Sequence, residues 1–183
     1  MVEGTSNSQH RGMRVLVAYG STGGGTAEIA AWIVEELRAE GLTAHLAPAV
    51  KVVDVAEYDA AVLGSAVYAH GWHPDARRFV HRFAGRFADR PVWLFSSGPL
   101  DGSADAGPLP PITHAAAALR DLPAGNHVTF GGRMTTEAHG WLGKVASRLA
   151  REGHAGDFRN PDRVRAWARG IAADLRTRSQ GPA

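Results

Sequence analysis

Residues 19–30 read YGSTGGGTAEIA, and this stretch decides the fold. The almost wholly apolar run MRVLVAY at 13–19 precedes it, as expected of a strand buried on both faces of a parallel sheet. Apolar residues at helical spacing follow, so the glycines form the turn between a strand and a helix. Glycines let successive N–H groups face one concavity, beside the hydroxyls of Ser21, Thr22 and Thr26 and the positive end of the helix dipole. The stretch is therefore predicted to bind a phosphate.

The residues present exclude two common kinds of phosphate loop. Nucleoside triphosphatases need a lysine after the last glycine, where this chain has Thr26. The dinucleotide fingerprint G-x-G-x-x-G is missing, and the second predicted strand ends without an acidic residue to bind a ribose. Backbone N–H groups and hydroxyls remain as donors, which suits a single terminal monophosphate. The alternative is a glycine-rich turn that holds no ligand.

Strand-like and helix-like patterns alternate along the rest of the chain. Strands are predicted at 13–19, 42–47, 60–64, 91–96 and 127–131, and helices at about 26–40, from Pro74, at 113–121 and up to about 178. This alternation predicts an α/β fold, an open parallel sheet with helices on both faces. Ligands of such sheets bind at the carboxyl ends of strands, which directs attention to residues 20–25, 65–73, 96–102 and 132–140.

Composition limits the remaining choices. The 183 residues contain no cysteine, which excludes disulfides and thiolate chemistry, and their formal net charge is +2. One domain is expected at 13–178, between disordered tails at 1–12 and 179–183. No apolar run is long enough to span a membrane, and a cytoplasmic location is expected. The arginines of the later helices lack the accompanying signals of nucleic-acid binding, so no nucleic-acid partner is predicted.

Several motifs together resemble the flavodoxin family, in particular flavodoxin-domain proteins related to menaquinone-dependent protoporphyrinogen dehydrogenase. They are YGSTGGGT at 19–26, GSAVYAHGW at 64–72, RPVWLFSSGPL at 90–100, HVTFGGR at 127–133 and GDFR at 156–159. The resemblance implies a five-stranded parallel sheet of order 2-1-3-4-5 and FMN as the cofactor. Gly23 and Gly25 depart from it, because threonine and asparagine are the usual residues at these two places.

The resemblance also implies which residues bind FMN. The phosphate would lie on the loop of Ser21, Thr22, Gly23, Gly24, Gly25 and Thr26. One wall of the isoalloxazine site would be Ala66, Val67, Tyr68, Ala69 and His70, and the other Ser96, Ser97, Gly98 and Pro99. Tyr68 is expected to stack on the ring, with Trp72 as a second candidate. His70 and His73 alone are too few to bind zinc, so no metal is predicted.

Three functions remain open at this point. The first is an FMN-dependent oxidoreductase that takes electrons from a reduced organic substrate, such as a protoporphyrinogen, and passes them to a quinone or redox partner. The second is an electron carrier without an organic substrate of its own, and the third is an FMN-free interaction module. The resemblance designates no catalytic residue. The basic amphipathic segment 141–151 allows at most a peripheral membrane contact.

Overall fold

The structure, a computed structural model, describes residues 12–68, 71–134 and 156–180. The strands are β1 (Arg14–Gly20), β2 (Thr43–Pro48), β3 (Ala60–Tyr68), β4 (Gly71–Trp72), β5 (Val92–Ser97), β6 (Ala124–Phe130), β7 (Arg133–Met134) and β8 (Gly156–Asp157). The α-helices are α1 (Gly25–Ala39), α2 (Pro74–Phe83), α3 (Ser103–Ala106), α4 (Thr113–Asp121) and α5 (Pro161–Ser179). The predicted segment 141–151 lies outside the described residues.

Five long strands form a parallel sheet in the order β2-β1-β3-β5-β6. Counted by long strands alone, this is the predicted order 2-1-3-4-5, so the expected fold is confirmed. The short β4 pairs antiparallel with the end of β3, and β7 pairs antiparallel with β8. The register places Gly20 beside Ser65, Ser65 beside Ser96, and Ser97 beside Phe130, so the carboxyl ends of the four strands lie side by side.

Helices cover both faces of the sheet, as predicted. Helices α1 and α5 bury side chains such as Ile33 and Ile171 on one face, and α2 and α4 bury Phe79 and Ala118 on the other. Each fully buried large apolar side chain contributes roughly 1.5–3 kcal/mol to the free energy of folding. Helix α1 ends before Gly41, whose φ of +86° places it in the left-handed region that ends many helices.

Two strands differ in length from the predictions. Strand β3 continues to Tyr68 instead of ending at Gly64, because Ser65 and Ala66 pair with Ser96 and Ser97 of β5. Strand β6 begins at Ala124 rather than at 127, with a register shift opposite Val92 and Trp93. Ser65 interrupts the apolar run of β3, and Gly125 and Asn126 precede the apolar run of β6, so an apolar pattern marks neither extension. The last helix also extends through Ser179, one residue into the predicted tail.

Among the described residues, no helix is both long enough and apolar enough to cross a membrane.

Candidate functional site

The glycine loop joins β1 to α1 at the carboxyl edge of the sheet. Gly24 has a φ of +77°, in the left-handed region, and directly precedes the first helical residue, Gly25. A residue with a Cβ would be strained there, which explains one glycine of the run. No side chain caps α1, so the free N–H groups of its first turn are available to a ligand.

Two successive N–H groups of the loop converge on a single oxygen atom. The backbone N–H groups of Thr22 and Gly23 both donate to the hydroxyl of Tyr68, each at 3.3 Å. Nearby, the Oγ of Ser21 is buried and has no hydrogen-bond partner among the described residues. Convergent donors and an unsatisfied hydroxyl are what an oxyanion requires. The loop therefore has the geometry of an anion site.

His73 supports the loop from the start of α2. Its Nδ1 accepts the backbone N–H of Asp75 at 3.2 Å, so in the neutral ring the proton lies on Nε2. That Nε2 lies 2.9 Å from the Oγ1 of Thr22 and donates to it, which leaves the hydroxyl proton of Thr22 free for another acceptor. The backbone N–H of His73 donates to the Oγ of Ser65 at 2.9 Å. Ser65 and His73 therefore support the glycine loop.

An open cavity extends from the loop across the carboxyl ends of the strands. The lining combines the glycine loop, the ends of β3 and β5 and the segments after β5 and β6: Ser21, Gly23, Gly25, Thr26, Ala66, Val67, Tyr68, Ser97, Gly98, Leu100, Gly132, Arg133 and Met134.

Most of the predicted residues lie together in this arrangement. Thr22 and Gly24 belong to the loop without lining the cavity, and Ala69 and His70 lie outside the described residues. Pro99 also does not line it, but its carbonyl oxygen accepts the N–H of Gly132 at 2.8 Å. This bond holds the segment after β6 against the predicted second wall.

Ser96 and Trp72 are placed differently from their neighbours. Ser96 is 1% exposed, and its hydroxyl accepts a hydrogen bond from Nε1 of Trp72 at 2.8 Å. Trp72 is 3% exposed and packs with α2 in the core. Side chains of successive strand residues point to opposite faces, so Ser97 lines the cavity while Ser96 does not. Of the two aromatic candidates, only Tyr68 lines the cavity.

His127 of β6 completes this buried cluster. Its Nε2 lies 2.8 Å from the Oγ of Ser96, and burial lowers its pKa from 6.5 to about 4. The unfolded chain therefore binds a proton below about pH 6.5 that the folded protein does not bind until about pH 4. The contribution of the neutral His127 to stability is therefore complete above about pH 6.5 and decreases as the pH falls toward about 4.

We therefore expect His127 to make the free energy of unfolding about 1–2 kcal/mol lower at pH 4.5 than at pH 7, after allowance for the partial exposure of its side chain. His127→Gln should remove that part of the pH dependence, whereas His81→Gln, at an exposed position of α2, should keep it. Urea denaturation at several pH values measures both. If His127→Gln shows the pH dependence of the parent protein, the ring does not stay neutral on folding.

Arg133 is the charged residue of the cavity lining that sequence reasoning missed, together with the uncharged Leu100, Gly132 and Met134. It lies just after β6 and lines the cavity, and its Nη2 lies 2.5 Å from Oε1 of Glu28 in the first turn of α1. The loop contains no basic residue of its own, but the guanidinium of Arg133, from a distant part of the sequence, lies beside it. Its position at the carboxyl end of a predicted strand was the available signal.

Among the residues that the structure describes, no group of three or more His, Asp or Glu side chains could hold a metal ion.

Comparisons with known proteins agree with this geometry. The sequence profile described as "Flavodoxin domain" matches residues 16–160, well over half of the chain. No curated protein matches the sequence.

Solved structures show the same fold at low sequence identity. Rubredoxin oxygen:oxidoreductase from Desulfovibrio gigas is 16% identical, with a TM-score of 0.60 over 90% of this chain but only 36% of that protein. A flavodoxin from the domain Archaea is 16% identical, with a TM-score of 0.52 over 76% of this chain and 95% of its own. The flavodoxin of Streptococcus pneumoniae TIGR4 is 20% identical, with a TM-score of 0.51 over 76% and 99%. By the match over residues 16–160, the chain belongs to the flavodoxin domain family.

Proposed function

We propose that this protein is an FMN-binding oxidoreductase whose phosphate site is the loop of residues 21–26. The observation that carries the proposal is the set of unsatisfied donors at that loop. The Oγ of Ser21 is buried without a partner among the described residues, and α1 begins without a side-chain cap. These donors fit a terminal phosphate, because a dianion accepts several short hydrogen bonds at once.

The chain's own residues would bind and orient the cofactor. A phosphate oxygen bound by the N–H groups of Thr22 and Gly23 would replace the hydroxyl of Tyr68 as their acceptor. Tyr68 would then be released to contribute its aromatic face to one wall of the ring site. Ser97 and Gly98 form the second wall, and a Cβ on Gly98 would lie only 2.8 Å from the Cβ of Val67. Glycine is therefore required where the two walls approach each other.

Bound FMN would supply the electron and hydride chemistry, which the protein itself lacks. We propose that electrons come from a reduced organic substrate of the protoporphyrinogen type and leave to a quinone or a redox partner. The small residues Ser97, Gly98 and Gly132 on one side of the cavity support a substrate site, because they would cover little of one flavin face. The resemblance of the motifs at 64–72, 90–100 and 127–133 supports the same choice.

A flavodoxin-type electron carrier is the second candidate, and the family match over residues 16–160 favours it equally. The two candidates differ in one assay. An enzyme loaded with FMN would oxidise a porphyrinogen when a quinone is added, whereas a carrier would only exchange electrons with a reductase. Neither candidate survives if the protein fails to bind FMN, in which case an interaction module becomes the leading function.

The first test is the visible absorption spectrum of the purified protein, with chromatography of any flavin released on denaturation. We expect a flavin spectrum and FMN. Ser21→Ala and Thr26→Ala should each weaken FMN binding at least about tenfold, since one charge-assisted hydrogen bond contributes about 1.5–3 kcal/mol. Ser103→Ala, on α3 and away from the lining of the cavity, is the control. A colourless protein that also fails to bind added FMN would contradict the proposal.

A further inference from the structure

The backbone of Arg133 is held in place in front of the phosphate loop. It pairs with Asp157 in the two-residue ladder of β7 and β8. On its N-terminal side, Gly132 donates to the carbonyl oxygen of Pro99 at 2.8 Å and accepts from the N–H of Phe158 at 3.0 Å. The backbone at Arg133 is therefore fixed to both the second wall and the start of β8.

The side chain of Arg133 runs along the loop itself. A Cβ on Gly25 would lie 3.4 Å from the Cβ of Arg133, and a Cβ on Gly24 would lie 3.8 Å from its Nη2. These distances show that the side chain of Arg133 lies against the loop backbone at Gly24 and Gly25. Because the residue also lines the cavity together with Ser21 and Thr26, its charge lies next to the unsatisfied donors of the loop.

The guanidinium retains hydrogen-bonding capacity in this position. Nη2 donates to Glu28, while Nε is buried and has no partner among the described residues. A guanidinium has five N–H donors in a planar fork that matches the oxygens of a phosphate. An unsatisfied buried donor on a cation beside an anion site indicates a ligand that carries negative charge.

Glu28 does not depend on Arg133 for its counter-charge. Its Oε2 also accepts from Nη1 of Arg159 at 2.9 Å, and Arg159 binds Asp157 at 2.5 Å. The hydrogen bonds from Arg159 lower the pKa of Asp157, so this carboxylate stays charged. The side chain of Arg159 is 4% exposed and that of Arg133 is 26% exposed. Arg133 is therefore the partner of Glu28 that can turn to a ligand while Glu28 remains paired.

We infer that Arg133 supplies the positive charge that recognises the FMN phosphate, and that it sets the preference of this site for FMN over riboflavin. The inference rests on the proposed function. Arg133 would provide the positive charge that the sequence of the loop lacks. Glu28 would compete with the phosphate for the guanidinium of Arg133.

The test measures dissociation constants for FMN and for riboflavin, which lacks the phosphate, by quenching of flavin fluorescence. Arg133→Ala should weaken FMN binding at least about tenfold, as for the loss of a charge-assisted hydrogen bond, and riboflavin binding less than about twofold. Arg133→Lys should lie between, because lysine keeps the charge and loses the fork. Arg169→Ala removes a comparable ion pair, with Glu36 of α1, and should change neither constant.

Glu28→Gln separates charge recognition from a structural role. If Arg133 recognises the phosphate, neutralising its competitor should leave FMN binding as tight or tighter, with riboflavin binding unchanged. If Arg133 only holds α1 in place, both substitutions should weaken the two flavins equally, and that result overturns the inference. An unchanged ratio of FMN to riboflavin affinity in Arg133→Ala also overturns it. A wild-type protein that binds neither flavin overturns the proposed function as well.

Discussion

Ser21→Asp should reduce the affinity for FMN by at least about 100-fold, whereas Ser21→Asn should reduce it by less than about tenfold. The two side chains have nearly the same shape, so their difference isolates one negative charge. The Oγ of Ser21 is buried beside the loop without a partner among the described residues, and the new carboxylate would occupy its place. Two unit charges 4 Å apart repel by roughly 1 kcal/mol in water and about 4 kcal/mol near a protein surface, and a phosphate dianion doubles the effect.

The fold should tolerate this carboxylate. An acidic group near the free N–H groups of α1 is favourable, because it complements the helix dipole and takes up the donors that the phosphate would use. We therefore expect the melting temperature of Ser21→Asp without flavin to equal or exceed that of the parent protein. Riboflavin binding should fall far less than FMN binding.

Titrations of both variants with FMN and riboflavin, together with thermal melts, test the phosphate site directly. Equal losses of FMN in Ser21→Asp and Ser21→Asn would mean that shape matters at position 21 and charge does not. Equal losses of FMN and riboflavin in Ser21→Asp would mean that the phosphate lies elsewhere. Either result would show that the phosphate does not lie against Ser21.

The geometry of the glycine loop could be predicted from the sequence because its hydrogen-bond donors are contiguous. Ser21, Thr22 and Thr26 follow a buried strand and precede a helix, and local rules suffice to place them together. The same rules place the wall residues at the ends of β3 and β5. They also permit a refinement that the predictions did not use: successive strand residues face opposite ways, so Ser96 and Ser97 cannot both line one cavity.

The remaining contacts join segments that are distant along the chain. His73 reaches the loop only because β4 folds back on β3 and α2 begins directly after it. Trp72 is removed from the site for the same reason, since the short β4 turns it into the core. Arg133, which follows β6, meets Glu28 at the start of α1, although β3 and β5 separate β6 from β1 in the sheet. A pattern read along one segment contains no information on such pairs.

Gly64→Ala should be the most destabilising of these single substitutions, by about 3 kcal/mol, at the upper end for overpacking of a core. A Cβ on Gly64 would lie 1.9 Å from Cζ and 2.2 Å from Cε1 of Phe95, whose ring lies over this glycine. Phe95 is fully buried, and its ring contacts those of Phe130 and Trp167, with centroids 5.9 and 6.2 Å away. The ring therefore cannot yield without disturbing the core between the sheet and α5.

Gly170→Ala is the matched control, because it makes the same substitution at a helical glycine of α5 with no atom within 4 Å of the new Cβ. It should stabilise the protein by about 0.5–1 kcal/mol.

In thermal melts, Gly64→Ala should lower the midpoint by about 6–12 °C, as roughly 2–4 °C per kcal/mol implies for a domain of this size. Phe95→Leu removes the colliding ring atoms. The double variant should therefore lose less free energy of unfolding than the two single variants together, and the difference should be roughly 0.5–3 kcal/mol, as for residues in contact. Strictly additive losses would show that Phe95 does not cover Gly64. In that case, contacts other than the one between Gly64 and Phe95 would align the ends of β3 and β5, which carry Tyr68 and Ser97.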